Sequence, residues 1–224
     1  MKRVFISREI SEVTELNVFC QQQGISLVAH SLIQFEAVPV NNVPYFDVVF
    51  FSSIRAARFF FENNISIEGK KLACIGEKTA EKIQQAFGVS FDFIGSKSAE
   101  PSAVAFDFSY WLAGRKVLFP HSDLSQKTAV SLLPAQQVVA FEMYKTQFVS
   151  QKIEPCDAYI FSSPSNVEAF LLVNELPKKN IITWGETTAK FLREKGVETI
   201  VLKGNPYFEN IKKEVLKLIN TSPL

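Results

Sequence analysis

The sequence holds little of what usually announces chemistry. Histidine occurs twice, at His30 and His121, and cysteine three times, at Cys20, Cys74 and Cys156. Two histidines and three widely spaced cysteines, without a CxxC pair, argue against a zinc site. The cysteines read as buried thiols of a reducing compartment. A surplus charge of either sign is also missing: 24 Lys and Arg face 23 Asp and Glu, a net charge of +1. Global charge therefore gives no reason to expect nucleic acid or an anionic membrane as partner. A small polyanion remains compatible if one cleft gathers the positive groups. No apolar run approaches the length of a membrane span. The opening MKRVFISREISEV has basic residues but neither a long apolar core nor a small-residue cleavage site, so it reads as a first strand and not a signal peptide. The cytoplasm is the expected location. GxxxxGK[ST] and GxGxxG are absent, which lowers nucleotide-dependent readings. No Ser-His-Asp arrangement or paired-carboxylate signature stands out.

What is present is alternation. Short apolar runs predict strands over 3–6, 26–29, 48–51, 72–75, 91–94, 116–119, 138–141, 159–161, 181–184 and 199–202. Amphipathic stretches predict helices over 9–23, 54–63, 78–87, 99–112, 124–133, 165–172, 187–195 and 207–219. Strands alternating with helices imply parallel sheets covered on both faces, an α/β class. The continuous apolarity of VVFF at 48–51 fits a strand buried on both sides. A chain of 224 residues is long enough for two domains of about 100 residues, each with its own core.

Two internal echoes sharpen this. DVVFFSSIRAARFF (47–60) matches DAYIFSSPSNVEAF (157–170) at an offset of 110, aligning Asp47 with Asp157 and Ser52–Ser53 with Ser162–Ser163. CIGEKTA (74–80) matches TWGETTA (183–189) at an offset of 109, aligning Gly76 with Gly185 and Thr79 with Thr188. KRVFIS (2–7) echoes RKVLFP (115–120) more weakly. Two strong matches at nearly equal spacing argue for two copies of one unit. Ten strands divided five and five suit two flavodoxin-like sheets. The repeat need not coincide with the spatial domains. The segments 33–40 and 139–148 are candidate connections, and a chain that leaves one sheet at the first and returns at the second makes one domain discontinuous.

The candidate site residues sit where strands give way to helices, the position at which open α/β sheets bind ligands. Ser52, Ser53, Ser162 and Ser163 either cap the following helices or line an anion site at their starts. Pro164 suits a first helical position. Arg55 adds a guanidinium in the first turn, able to pair with a carboxylate or to stand as a surface charge. Gly76 and Gly185 permit close backbone approach, and Thr79 and Thr188 can cap or donate to a ligand. Arg8 follows the first strand directly. Lys97, Lys127 and Lys145 lie in or near comparable loops. Tyr144, in the second connection, either packs or offers its phenol as a donor. His121 follows a strand and is a weaker catalytic candidate.

Taken in order, ISRE, FSSIRAARFF, IGEKTA, VLFPHSDLSQKTAVSLL, FEMYKT, FSSPSNVEAF and WGETTAKFLREKGV resemble the uroporphyrinogen-III synthase family over essentially the whole chain. The resemblance implies two flavodoxin-like parallel-sheet domains joined by a two-stranded connector; in the family the active site lies between them. Transferred here, residues 1–36 and 147–224 form a discontinuous first domain, 41–142 the second, and 37–40 with 143–146 the connector. The implied activity is cyclisation of hydroxymethylbilane to uroporphyrinogen III, with loss of water and inversion of ring D, without a cofactor or metal and as a monomer. Tyr144 matches a connector tyrosine proposed to help the hydroxyl leave. Thr79 and Thr188 match the threonines of two GxxT turns, Arg55, Ser162 and Ser163 match the FTSP-like turns, and Arg8 matches a basic residue after strand one. Ile54 and Glu9 stand where the family often has proline. The alternative class is a non-catalytic two-lobed module that binds a small anion, since fold does not fix function.

Overall fold

The computed structural model describes residues 1–96, 101–125, 127–202 and 208–221. Lys97, and the first residues of the helices expected at 99–112 and 207–219, lie outside them. Along the chain run β1 (Arg3–Ile6), α1 (Thr14–Gln22), β2 (Ser26–Ala29), β3 (Ile33–Ala37), β4 (Val48–Phe51), α2 (Ile54–Glu62), β5 (Lys71–Cys74), α3 (Glu77–Phe87) and β6 (Phe93–Ile94). There follow α4 (Pro101–Leu112), β7 (Val117–Ser122), β8 (Val138–Phe148), β9 (Ala158–Phe161), α5 (Pro164–Leu171), β10 (Ile181–Thr183), α6 (Glu186–Glu194), β11 (Ile200–Val201) and α7 (Phe208–Thr221). The chain divides into two compact units, Met1–Gln34 with Gln147–Leu224, and Phe35–Thr146.

The first unit is a five-stranded sheet ordered β11-β10-β9-β1-β2, with parallel pairing throughout. Alternation sorts its side chains. Val4, Ile6, Ala158 and Ile160 face α1 and α7 with Leu16, Ile211 and Val215, whereas Phe5, Tyr159 and Phe161 face the other way with Val167, Phe170 and Leu192. The second unit is a six-stranded sheet ordered β3-β8-β7-β4-β5-β6. VVFF splits in the same manner: Val49 and Phe51 pack with Phe60 and Ile83, Val48 and Phe50 with Val104 and Phe108. All four β4 residues are fully buried, so neither face of the strand meets water.

The repeat and the units do not coincide. By the internal matches, β1 corresponds to β7, β4 to β9 and β5 to β10. The sheet orders extend this to β2 with β8 and β6 with β11. Apart from β3, the added edge strand of the second sheet, both sheets then share one spatial order, the 2-1-3-4-5 of doubly wound folds. In the first unit the first copy supplies β1 and β2, and the second copy supplies β9 to β11. In the second unit the first copy supplies β4 to β6, and the second supplies β7 and β8. Each sheet therefore joins the front of one copy to the back of the other.

The paired aspartates mark these junctions. Asp157 donates its N–H to Arg3 O (2.8 Å) and accepts the Arg3 N–H on Oδ2 (2.8 Å). Asp47 does the same with Lys116, at 2.9 Å in both directions. Arg3 and Lys116 are equivalent residues of the weak KRVFIS and RKVLFP echo. One reciprocal bracket thus sets β9 beside β1 and β4 beside β7. Asp92 repeats it on Leu72 (2.8 and 2.9 Å), beside β5.

Two sequence expectations change. Among the described residues of 124–133, the expected helix is reduced to a single 3₁₀ turn at Thr128–Val130. β7 runs on to Ser122, and Asp123 Oδ1 then accepts from Leu124 N (2.9 Å) and Thr146 N (3.0 Å), fixing a turn where a helix would start. Ala129 and Val130 still bury themselves against the α4 core. The ten strands expected become eleven among the described residues, because the first connecting segment adds β3 to the second sheet and pairs there with the second connecting segment. β3 and the eleven-residue β8 form the edge of the second sheet, and Val38 N donating to Met143 O (2.8 Å) with Val149 N donating to Leu32 O (2.8 Å) gives the pair an antiparallel sense. Among the described residues no helix is long and apolar enough to cross a membrane.

Candidate active site

At the carboxyl ends of β1, β9 and β10 the first unit gathers Ser7, Arg8, Ser162, Ser163, Trp184 and Thr188. Ser7 is fully buried and tied to Ser162 three ways. Ser162 N donates to Ser7 Oγ (2.9 Å), Ser162 Oγ donates to Ser7 O (2.9 Å), and the two hydroxyls lie 3.2 Å apart. Ser163 is the N-cap of α5: its Oγ accepts from Asn166 N (3.3 Å) and Asn166 Nδ2 (3.0 Å) and lies 3.1 Å from Ser165 Oγ. Thr188 is the third residue of α6 and 3% exposed.

Arg8 spans several environments. Its Nη1 meets Glu12 Oε1 at 3.0 Å, its guanidinium carbon lies 5.0 Å from the centre of the Trp184 ring, and its Nε is buried without a hydrogen-bond partner. His30 Nε2 and Thr183 Oγ1, also at strand ends of this sheet, are buried and unpaired as well. Unpaired buried polar atoms are costly, and several at one sheet edge fit a place that receives a polar ligand.

The second unit presents Ser52, Ser53, Arg55, Thr79 and Tyr144 at the matching edge. Ser53 caps α2, accepting from Ala56 N at 3.1 Å. Ser52 is half-buried, and its hydroxyl has no hydrogen-bond partner among the described residues. Pro120 occupies the place that Ser7 holds in the first unit, and it has no hydroxyl to accept from Ser52 N as Ser7 Oγ accepts from Ser162 N. Thr79 is the third residue of α3, half-buried, with its N donating to Gly76 O at 3.1 Å. Tyr144 is 6% exposed. Its ring stacks on Phe59 (centroids 4.6 Å, planes 15° apart) and meets Phe35 edge-on at 5.8 Å. The Arg55 guanidinium carbon lies 3.6 Å from the centre of the other partner, Phe35. Arg55, Phe35, Tyr144 and Phe59 thus make one stack, which holds the tyrosine in place.

Three sequence candidates have other duties. His121 is buried, with Nδ1 donating to Ser122 O at 2.7 Å. Lys127 and Lys145 are exposed. Burial pushes the Cys20 and Cys74 thiols up to about 11, which keeps them protonated and unreactive at neutral pH. Of two cavities in the second unit, one of about 400 Å³ is lined by other residues, among them Tyr45 and Lys70, and one of about 480 Å³ by Lys127 with Val130 and Leu133. Among the described residues no group of three or more His, Cys, Asp or Glu side chains comes together. Sequence reasoning missed Ser7, Phe35, Asn166 and Trp184. Ser7 and Trp184 lie inside the ISRE and TWGETTA segments, but only pairing across strands shows what they touch.

A family model described as uroporphyrinogen-III synthase HemD matches residues 14–211. Among solved structures, the chain is similar to the uroporphyrinogen-III synthetase of Helicobacter pylori 26695, with 18% identity, coverage of 97% of this chain and 100% of that one, and a TM-score of 0.72. It is also similar to a mutant uroporphyrinogen III synthase from the extreme thermophile Thermus thermophilus, with 15% identity, the same coverage and a TM-score of 0.61. No curated protein matches it in a sequence search.

Proposed function

The chain belongs to the uroporphyrinogen-III synthase family, and from that premise we propose that it closes hydroxymethylbilane to uroporphyrinogen III, losing water and inverting ring D. The family match over most of the chain carries this reading. The substrate bears acetate and propionate groups on every ring and needs donors for them. The starts of α2, α3, α5 and α6 present the positive ends of their helix dipoles, and the hydroxyls of Ser52, Thr79, Ser163 and Thr188 stand beside them. Arg8 and Arg55 add positive charge, which reconciles an anionic ligand with a net charge of +1.

The chemistry asks little of any acid. The electron-rich pyrrole expels the hydroxyl group, leaving an azafulvene. Ring D attacks it through its substituted carbon, and the spirocyclic pyrrolenine that forms fragments and recloses with ring D reversed. In this reading Tyr144 gives a proton to the departing hydroxyl, and its stacking holds the phenol in place. The linear substrate also closes unaided to the uninverted isomer, so the main task is to hold one geometry before the other cyclises. The reading takes the chain as a cofactor-free monomer in the cytoplasm, acting on a small molecule.

Supplying hydroxymethylbilane and identifying the product isomer tests it. Uroporphyrinogen III is expected; the uninverted ring alone, at the rate without protein, refutes the assignment. Tyr144→Phe is expected to slow turnover by no more than the roughly 10²–10⁴-fold that general acids contribute. An unchanged rate removes Tyr144 from the acid role.

A further inference from the structure

Asn166 is 3% exposed and uses both ends of its amide. Its Oδ1 accepts from Leu32 N at 2.9 Å, and its Nδ2 lies 3.0 Å from Ser163 Oγ. The amide has only one possible orientation: the Leu32 N–H can only donate, so an oxygen faces it and the NH₂ must face Ser163. Ser163 Oγ therefore accepts twice from Asn166, from the side chain and from the backbone N–H. A hydroxyl oxygen has two acceptor sites. With both filled, the Ser163 hydroxyl can only donate, and the acceptor it meets here is Ser165 Oγ at 3.1 Å. In the second unit Ala56 stands in the place of Asn166, and Ser53 accepts only its backbone N–H. Leu32 also accepts, on its carbonyl, the N–H of Val149. Asn166 thus fastens the serine turn to the chain just before β3, which is bonded in turn to the chain just after β8.

We propose that Asn166 is a positioning residue that makes the Ser163 hydroxyl a dedicated donor to a carboxylate of the substrate, which takes the place of Ser165 Oγ. The proposal rests on the functional reading above. Asn166→Asp keeps an acceptor for Leu32 but sets a second acceptor against Ser163, so the hydroxyl turns inward to it. KM is expected to rise about tenfold with kcat within about twofold, as for one lost hydrogen bond to a charged group. The decisive measurement is the cycle with Ser163→Ala. The added charge of N166D acts in both backgrounds and drops out, whereas the part exerted through the hydroxyl vanishes when the hydroxyl is gone. A coupling of about tenfold in KM supports the proposal, and additive effects overturn it. Ser165→Ala leaves every Asn166 bond in place and tests the same idea if N166D does not fold. KM unchanged or lowered is expected, and a raised KM overturns the proposal. A wild-type chain that makes no uroporphyrinogen III defeats the functional reading itself, whereas normal wild-type turnover with an additive cycle defeats only the role of Asn166.

Discussion

The two FSS turns share sequence, strand, helix and cap, yet they differ in how their hydroxyls are bonded. In the first unit Ser162 is held by Ser7 through three contacts. In the second, Pro120 stands in the place of Ser7, and the Ser52 hydroxyl has no hydrogen-bond partner among the described residues. A local motif therefore fixes where a hydroxyl stands, while the strand next to it decides whether that hydroxyl is spent on the fold or left for a ligand. The rigid turn and the open one are products of the same duplicated segment.

The largest effect that can test the comparison is in the cores behind the turns. Phe51 and Phe161 are equivalent and fully buried. Phe51 meets three rings, Phe60, Phe61 and Phe91, and Phe161 meets two, Phe5 and Phe170. Either change to alanine is expected to cost about 3–5 kcal/mol in urea unfolding, Phe51→Ala the more. The opposite order breaks the idea that ring count ranks the two sites. Next come the turns themselves. Ser162→Ala is expected to cost about 1 kcal/mol, because it removes a bond between partly buried groups. Ser52→Ala is expected to stay within about 0.5 kcal/mol while raising KM. Equal losses of stability at both sites would erase the distinction.

The smallest effect is in acid. Asp157 is held below the usual carboxylate range by the Arg3 N–H and by Lys2. Asp47 is held low by the Tyr45 hydroxyl and the Lys116 N–H. At Asp92 burial pushes upward, but the Leu72 N–H and Lys71 outweigh it. A carboxyl depressed in the folded state stabilises above its unfolded pKa, about 3.9, and that contribution is lost as pH falls through the lower folded value. The second unit has two such brackets and the first has one beside the exposed Glu209, which Lys212 holds low but solvent screens most, so amide exchange below about pH 4 is expected to speed up slightly more in the second unit. The Asp157 and Asp92 side chains keep 29% and 38% of their surface in water, and this solvent screening keeps the difference modest. Exchange that speeds up first in the first unit contradicts it.

Much of this was legible in the sequence. VVFF announced a doubly buried strand, and the spacing of DVVFFSS and DAYIFSS announced the duplication. The serines and threonines that open helices stand where they were expected. What periodicity could not show is which copy pairs with which, because strand alternation is satisfied by any parallel neighbour. The aspartate brackets carried that information, but a lone Asp before an apolar run reads as a turn residue. The helix expected at 124–133 failed because Asp123 bonds forward to Thr146, a contact 23 residues away that no window of local pattern contains. Asn166 was hidden for the same reason: its partner Leu32 lies 134 residues earlier.

The interleaved copies also dictate an order of assembly on the ribosome. The second sheet is complete once Phe148 has emerged, while β1 and β2 wait for β9, whose first residue is Ala158. At about 5–20 residues per second the first strand stays unpaired on one side for roughly ten seconds or more. Throughout that interval its apolar Val4, Phe5 and Ile6 are open to chaperones and to neighbouring nascent chains. Cutting the gene between the two copies yields halves that each lack part of both sheets, so neither is expected to fold until it meets the other.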